Sequence, residues 1–146
     1  MFGLVPLFVA VVGSAVGGAV PPDVAEVVLR KLIADIPSSQ LVLCLQINGR
    51  DPPKSLLRRL QRADRTVVPG TECHDWVDLD HGSYHIKTGK AAHFLRVSDA
   101  VWASKTTVEV QAQEHYHGLW ASFWTVRLTR DASGWRIISF HLDREA

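Results

Sequence analysis

The sequence predicts an α+β fold in which N-terminal helices pack on a mainly antiparallel, twisted sheet of about four to five strands. Apolar and polar residues alternate at positions 108–116 and again at 120–128, which is the period of a strand with one covered face. Upstream, apolar residues recur at helical spacing over positions 24–32. A helix with one apolar side and a sheet with one apolar face are expected to bury these surfaces against each other.

Residues 1–19 have the features of a secretory signal peptide. They contain no charged side chain, and small residues follow an apolar run, so we expect cleavage after Ala19 or, as the second choice, after Ala15. An uncleaved membrane anchor and a plain N-terminal helix are the alternatives, although Pro6 and the glycines make this stretch a poor anchor. Residues 20–146 are expected to form a single α+β domain that is exported, periplasmic or secreted, with no stable membrane anchor after cleavage.

The composition excludes some classes of partner. With 47% apolar and 21% charged residues, the 146-residue chain is typical of one globular domain. Its net charge of +1 gives no general attraction for nucleic acid or for an anionic membrane. The one local basic cluster, around Lys54, Arg58 and Arg62, is not interleaved with aromatic residues, so we expect no nucleic-acid partner.

Two helices and one buried strand are predicted ahead of the meander. Asp23 is placed as the N-cap of the first helix, which is expected to end at Pro37. The apolar run at positions 40–47 is interpreted as a strand because the turn signal Asn48-Gly49 follows it. Asp51 is placed as the cap of the second helix, with a proline at the first helical position.

The loop between the two alternating segments determines how they pair. A three-residue loop at positions 116–118 pairs even with even positions and keeps Trp120 and Trp124 buried on the covered face. A two-residue loop would turn both indoles to the polar side, so we predict the longer loop. Val110 is then expected opposite Trp124, and Glu114 opposite Trp120.

One further strand is expected on each side of this hairpin in the sequence. Alternation over positions 93–102 places Leu95, Val97 and Val101 on one side. After a strong turn signal at 130–134, positions 135–142 alternate in two ways. The covered side is predicted to hold Ile138, Phe140 and Leu142, and the alternative set is Trp135, Ile137 and His141.

The two cysteines, Cys44 and Cys73, predict one disulfide if the chain is exported, because only one pairing is possible. Such a bridge closes a loop of about 30 residues and contributes roughly 3–4 kcal/mol in the chain-entropy account. Two separate reduced thiols are the alternative, and the one expected in a cytoplasmic protein.

No motif indicates a metal, a cofactor or a nucleophile. His115 and His117 are alternate strand residues that could share an ion, but no third ligand is placed beside them, and zinc needs three or four. The serines lack the glycines of a nucleophile elbow, and Cys44 lies in an apolar run. We therefore expect neither a metal site nor a bound cofactor.

Glu114 is the one acidic residue on the otherwise apolar face of the central hairpin. A carboxyl group held among aromatic side chains could act as an acid, a base or an anchor for a ligand. The alternatives are that this end of the strand is open to solvent, or that a lysine or arginine pairs with the carboxylate.

A capped N-terminal helix, a second helix and an antiparallel meander ending in Ser133-Gly134-Trp135-Arg136-Ile137-Ile138 resemble, in their order, the NTF2-like, cone-shaped α+β domains. The resemblance implies a pocket between helix and curved sheet, lined here by Trp120, Trp124 and Phe140, with Glu114 at its mouth. Those domains carry an extra helix before the sheet, where this chain has the apolar run and its cysteine. A cystatin-like arrangement of a helix on a sheet fits the same elements.

The leading functional hypothesis is an exported, non-enzymatic module that binds a small molecule or a protein partner. The second is a small enzyme that uses Glu114, with a histidine, in an aromatic pocket. The third is a surface for a partner on the outward strand face, formed by Gln111, Gln113, Phe123 and Ile137.

Overall fold

The computed structural model describes residues 17–37, 40–62, 64–75, 81–117 and 120–145. Residues 1–16 of the expected signal peptide, and the Gly118 of the expected loop, lie outside these ranges. The described part contains the helices α1 (Pro22–Asp35) and α2 (Lys54–Leu60) and the strands β1 (Val42–Ile47), β2 (Thr66–Pro69), β3 (Cys73–His74), β4 (Tyr84–His85), β5 (Ala92–Ser104), β6 (Thr107–His117), β7 (Trp120–Asp131) and β8 (Gly134–Glu145). Neither of these helices is long and apolar enough to cross a membrane.

Six strands form one mixed sheet in the order β2-β1-β5-β6-β7-β8, and β3 pairs with β4 in a separate two-stranded sheet. The α+β class and the mostly antiparallel pairing are confirmed, but the prediction of four to five strands was wrong. Strand β1 runs parallel to both β2 and β5, and α2 makes the crossover between β1 and β2. The second helix therefore follows the first strand instead of preceding the sheet.

Strand β1 lies inside the sheet and is covered on both faces, which is why its sequence is nearly continuous in apolar residues. Its odd-numbered residues face α1 in the main core. Its even-numbered residues Val42 and Cys44 pack on the opposite side against Cys73 and Phe94. We call the two sides of the sheet the helix face and the strap face.

The central hairpin pairs with the predicted parity but not in the predicted register. Even positions face even positions, yet Val110 lies opposite Val126 and Glu114 lies opposite Ser122, a shift of two residues from the prediction. The predicted three-residue loop was wrong because β6 continues to His117 and β7 starts at Trp120. Without an irregularity, strands that end at His117 and begin at Trp120 would pair even positions with odd ones. The pairing is irregular between His115 and His117, and beyond this point even positions face even positions, as predicted.

Two further bulges change which side chains are buried. In β5, Asp99 adopts a φ of 59° between Ser98 and Val101, and Val101 is consequently exposed opposite Glu109. In β8, Ile138 is the extra residue between the pairs of Leu128 and Arg127. The expected burial of Ile138 was therefore wrong: it is 47% exposed, and Ile137 packs against the core instead.

Helix α1 lies on the helix face and ends before Pro37, as predicted. Its buried residues are Val24, Ala25, Val28, Leu29, Leu32 and Ile33. The predicted N-cap was wrong, because the helix begins at Pro22 after Pro21, and the Asp23 carboxylate accepts from Trp135 Nε1 at 3.2 Å instead. This bond ties the first turn of α1 to the start of β8.

Helix α2 also begins later than predicted. It starts at Lys54 after Pro53, and Asp51 accepts hydrogen bonds from the backbone N–H and the hydroxyl of Thr71, at 3.0 and 2.6 Å. Asp51 is therefore a tether between two loops, and the helix depends on the burial of Leu56 and Leu60.

The strap face is partly covered by residues 70–75 and 81–91, which we call the strap. The predicted disulfide is confirmed: Cys44 and Cys73 are bonded, with their Cα atoms 6.4 Å apart. Cys44 is fully buried in β1, so the bond attaches the strap to the centre of the sheet. A second attachment is the hydrogen bond from Arg96 of β5 to Asp75, at 2.6 Å.

Candidate functional site

Glu114 lies on the helix face of β6, between Leu95 of β5 and Ser122 of β7. Its side chain is 14% exposed, which is low for a carboxylate. The expected alternatives were an open strand end or pairing with a lysine or arginine. The structure instead places His93 beside it, with 2.8 Å between His93 Nδ1 and Glu114 Oε1.

His93 occupies the first of three alternate β5 positions on the helix face, ahead of Leu95 and Val97. The side chain of His93 is 13% exposed, so a mostly buried polar residue continues the row of core residues on this strand. Its imidazole ring lies 4.9 Å from the ring of Tyr116 and 5.1 Å from the ring of Trp120, between ring centroids. His93 is therefore flanked by two aromatic rings.

Trp120 lies on the predicted side of the sheet but is 39% exposed instead of buried. Helix α1 covers the middle of the helix face, and Trp120 is the first residue of β7, at the end of the sheet where His93 also lies. Leu142 of β8 shares this face opposite Trp124 and is 43% exposed. We call this uncovered region, with His93, Glu114 and Trp120, the open end.

Trp124 and Phe140, the other two predicted site residues, pack together with ring centroids 5.4 Å apart. Both are partly buried against the core, and the Lys31 ammonium of α1 lies 5.5 Å above the Phe140 ring. The four predicted residues thus share one face but form two groups. Glu114 and Trp120 meet at the open end through His93, whereas Trp124 and Phe140 lie next to the helix.

Sequence reasoning missed His93 and Tyr116. The available signal was the alternation of His93 with Leu95 and Val97, which puts a histidine on a covered face. Tyr116 was assigned to a loop, but its position within β6 brings its ring against His93 and against Gly82. A Cβ at position 82 would overlap the Tyr116 ring, so the strap also reaches this site.

The hydrogen bond to Glu114 determines what His93 can do. A carboxylate at Nδ1 fixes the orientation of the ring and, in the neutral imidazole, places the proton on Nδ1. Nε2 is then an acceptor, and it has no partner among the residues that the structure describes. The one side-chain polar atom in the described ranges that is both buried and unpaired is His115 Nδ1, so His93 Nε2 is reachable from solvent.

A second polar cluster lies on the strap face and holds the strap in place. His115 is 8% exposed, and its Nδ1 is 2.8 Å from Asp75 Oδ1, within ion-pair distance but out of line for a hydrogen bond. The other Asp75 oxygen accepts from Arg96, and buried Ser83 donates to the carbonyl of Tyr116 at 2.8 Å. His115 is therefore an internal partner of the strap, and it faces away from the open end.

Within the described ranges, no group of three or more His, Cys, Asp or Glu side chains is arranged to hold a metal ion. Comparison with protein-family models, with curated proteins and with solved structures finds no match to this chain. Its function is therefore inferred from the geometry of its own residues.

Proposed function

We propose that the chain is an exported protein that binds a small molecule at the open end without converting it. The observation that carries this proposal is His93, whose Nδ1 is held by Glu114 while its Nε2 is unpaired beside the exposed ring of Trp120. Nε2 is reachable from solvent, so a ligand can take the place of water there, while the bond to Glu114 keeps the ring in a fixed orientation. A fixed polar group beside exposed aromatic surface is a feature of sites that bind small molecules.

The ligand's chemistry follows from these groups. Nε2 accepts a hydrogen bond, so the ligand should present a hydroxyl or amine donor. Glu114 adds negative charge, which favours a neutral or cationic ligand over an anionic one. Trp120 offers exposed apolar surface beside His93, so the rest of the ligand should be aromatic or aliphatic. The NTF2-like resemblance also implies a pocket between helix and sheet on this face.

Export is supported by two features. The Cys44–Cys73 disulfide persists in oxidising compartments outside the cytoplasm. The uncharged, apolar residues 1–19 match a signal peptide in composition. Intact mass of the protein recovered after expression from its natural gene, with and without reductant, tests both features together.

The binding proposal is tested with tyramine as the donor-bearing aromatic probe and 4-hydroxybenzoate as its anionic counterpart. We expect tyramine to bind with shifts of the backbone amide signals near His93 and Trp120 in two-dimensional NMR. His93→Gln and Glu114→Gln should each weaken binding about tenfold or more, because each removes a charge-assisted contact.

The matched control is His141→Gln, because His141 is 77% exposed and lies 4.0 Å from Asp143 in a solvated pair on β8. This variant should bind tyramine as the unmodified protein does. Tighter binding of 4-hydroxybenzoate than of tyramine, or equal losses in all three variants, would contradict the proposal.

A second candidate is an enzyme in which Glu114 orients His93 as a general base. The favouring observation is the carboxylate–imidazole hydrogen bond itself, the arrangement that holds a catalytic histidine in its required tautomer. If this candidate holds, hydrolysis of p-nitrophenyl acetate should fall in His93→Gln and Glu114→Gln but not in His141→Gln. Equal rates in all four proteins would leave binding as the function.

A further inference from the structure

A cleft of about 500 Å³ lies on the strap face, away from the open end. Its volume is in the range of sites for small ligands. Its walls come from strands β1, β5, β6 and β7, and most of the lining residues are polar: Gln46, Arg96, Ser98, Asp99, Gln111 and Gln113, beside the aromatic Phe123. Gln111, Gln113 and Phe123 were grouped on the outward face from the sequence, whereas Ile137, grouped with them, packs on the helix face.

The lining residues form a straight row because successive strands are in register. Gln46 lies opposite Arg96, Arg96 opposite Gln113, Gln113 opposite Phe123, and Phe123 opposite Arg144. At about 4.8 Å between strands, the part of this row that lines the cleft, from Gln46 to Phe123, is about 14 Å long. A row of this length can contact more than one unit of a chain-like ligand.

Several hydrogen-bonding groups in the row are available. The side-chain amide of Gln113 has no hydrogen bond to any residue in the described ranges. The carbonyl oxygen of Gln46 accepts from Arg96 Nε at 2.7 Å, which leaves its amide N–H groups to donate. An amide both donates and accepts, so these side chains match ligand groups that also do both, and hydroxyls are such groups.

The charge of the cleft disfavours anions. Arg96 is the cationic side chain among the described lining residues, and its guanidinium is already paired with Asp75 at 2.6 Å. Asp99 lines the rim and has no described cationic partner; its carboxylate accepts from the Ser98 hydroxyl at 3.1 Å. A negatively charged ligand at the β5 end of the cleft would meet Asp99, whereas the cation Arg144 lies over the Phe123 ring, three strands away.

Phe123 supplies the apolar wall of the cleft. The Arg144 guanidinium lies 4.2 Å from its ring centroid, which holds the ring in place at the end of the row. A flat aromatic ring next to amides suits a ligand with C–H groups on one side and hydroxyls at its edges. Neutral sugars have this combination.

We propose that this cleft binds a neutral saccharide of one or a few units, with Gln46 and Gln113 bonding its hydroxyls and Phe123 packing on its C–H face. The site is independent of the open end, since the two lie on opposite faces of the sheet.

The test is an NMR titration of the whole chain with maltotriose and N,N′-diacetylchitobiose, with glucuronate as the anionic probe. We expect at least one neutral probe to shift the amide signals of Ser98, Gln111 and Gln113. Gln113→Leu should raise its dissociation constant about tenfold, because an amide bonded to the ligand is lost. Gln61→Leu is the matched control, since Gln61 follows α2 and does not line the cleft.

The proposal is overturned if neither neutral saccharide shifts these signals at about 50 mM, a concentration that would reveal even millimolar affinity. It is also overturned if glucuronate binds more tightly than the neutral probes, or if the shifts lie around His93 and Trp120. Should Gln113→Leu fail to fold, the location of the shifts in the unmodified protein and the effect of Gln46→Leu decide the matter.

Discussion

Asn48 joins the end of β1 to the start of α1 with a single side chain. Its amide oxygen accepts from Val20 N–H at 2.9 Å, and its amide nitrogen donates to the Val20 carbonyl at 3.1 Å. The residue also has a φ of 55°, a left-handed conformation that asparagine tolerates better than most residues. One residue therefore makes the turn and anchors buried Val20.

We expect Asn48→Ala to lower the free energy of unfolding by about 2–4 kcal/mol, because it removes two hydrogen bonds and adds the cost of a left-handed alanine. Asn48→Gly should cost about 1 kcal/mol less, since glycine keeps the conformation and loses only the bonds. Urea unfolding followed by tryptophan fluorescence measures both. Equal stability of the two variants would show that the backbone conformation contributes nothing.

At the scale of elements, the strap depends on the rest of the fold for its position. In the described ranges its strands β3 and β4 are two residues long, and such a hairpin is too short to be stable alone. Its covalent attachment is Cys44–Cys73, and its polar attachment is Asp75 with Arg96 and His115. Both attachments lead to the strap face, beneath which lies the smaller of the two apolar clusters.

Replacing both cysteines, in Cys44→Ala with Cys73→Ala, should lower the free energy of unfolding by about 2–5 kcal/mol. The bond restricts the unfolded chain over 29 positions, and this restriction is lost in the variant. Chemical unfolding with and without reductant measures the effect.

The unmodified protein should lose a similar amount on reduction, whereas the double variant should be insensitive to reductant. Sensitivity of the double variant would mean that reductant acts on something other than this bond. A loss below about 1 kcal/mol would mean that the polar attachments alone hold the strap.

At the scale of the whole molecule, the start of the described chain crosses to a distant part of the sheet. Gly18 and Ala100 exchange two backbone hydrogen bonds of 2.8 Å, and Ala100 is 3% exposed. Cleavage after Ala19 would remove Gly18, and cleavage after Ala15 would keep it. The two expected cleavage positions thus give proteins with different contacts at the β5 bulge.

A recombinant chain beginning at Val20 should be about 1–3 kcal/mol less stable than one beginning at Val16, because the buried Ala100 N–H loses its partner. Urea unfolding of the two chains gives the difference. The control is Gly18→Ala in the longer chain, which should be nearly neutral, since an added Cβ would meet only the Ala100 carbonyl oxygen, at 3.7 Å. Identical midpoints for both chains would show that this bridge does not stabilise the fold.

Local patterns were sufficient for much of the fold. The period-two segments became β6 and β7, the Asn48-Gly49 signal became a turn, and α1 ended before Pro37. The chain has two cysteines, which allow only one pairing, so predicting a disulfide also identified both of its residues. Each of these features depends on residues within one strand, one helical turn or one pair, and such information is present in the sequence alone.

Tertiary structure decided the order of the strands, the register and the partners at the site. Strand β1 lies between β2 and β5 and is parallel to both, and this placement depends on burying both of its faces, against the helices on one side and the strap on the other. Each bulge, as at Asp99 and Ile138, shifts every following side chain to the other face, and no local pattern marks where a bulge falls. His93 and Glu114 are 21 positions apart, and they meet because cross-strand packing selects one register among several that satisfy the same alternation.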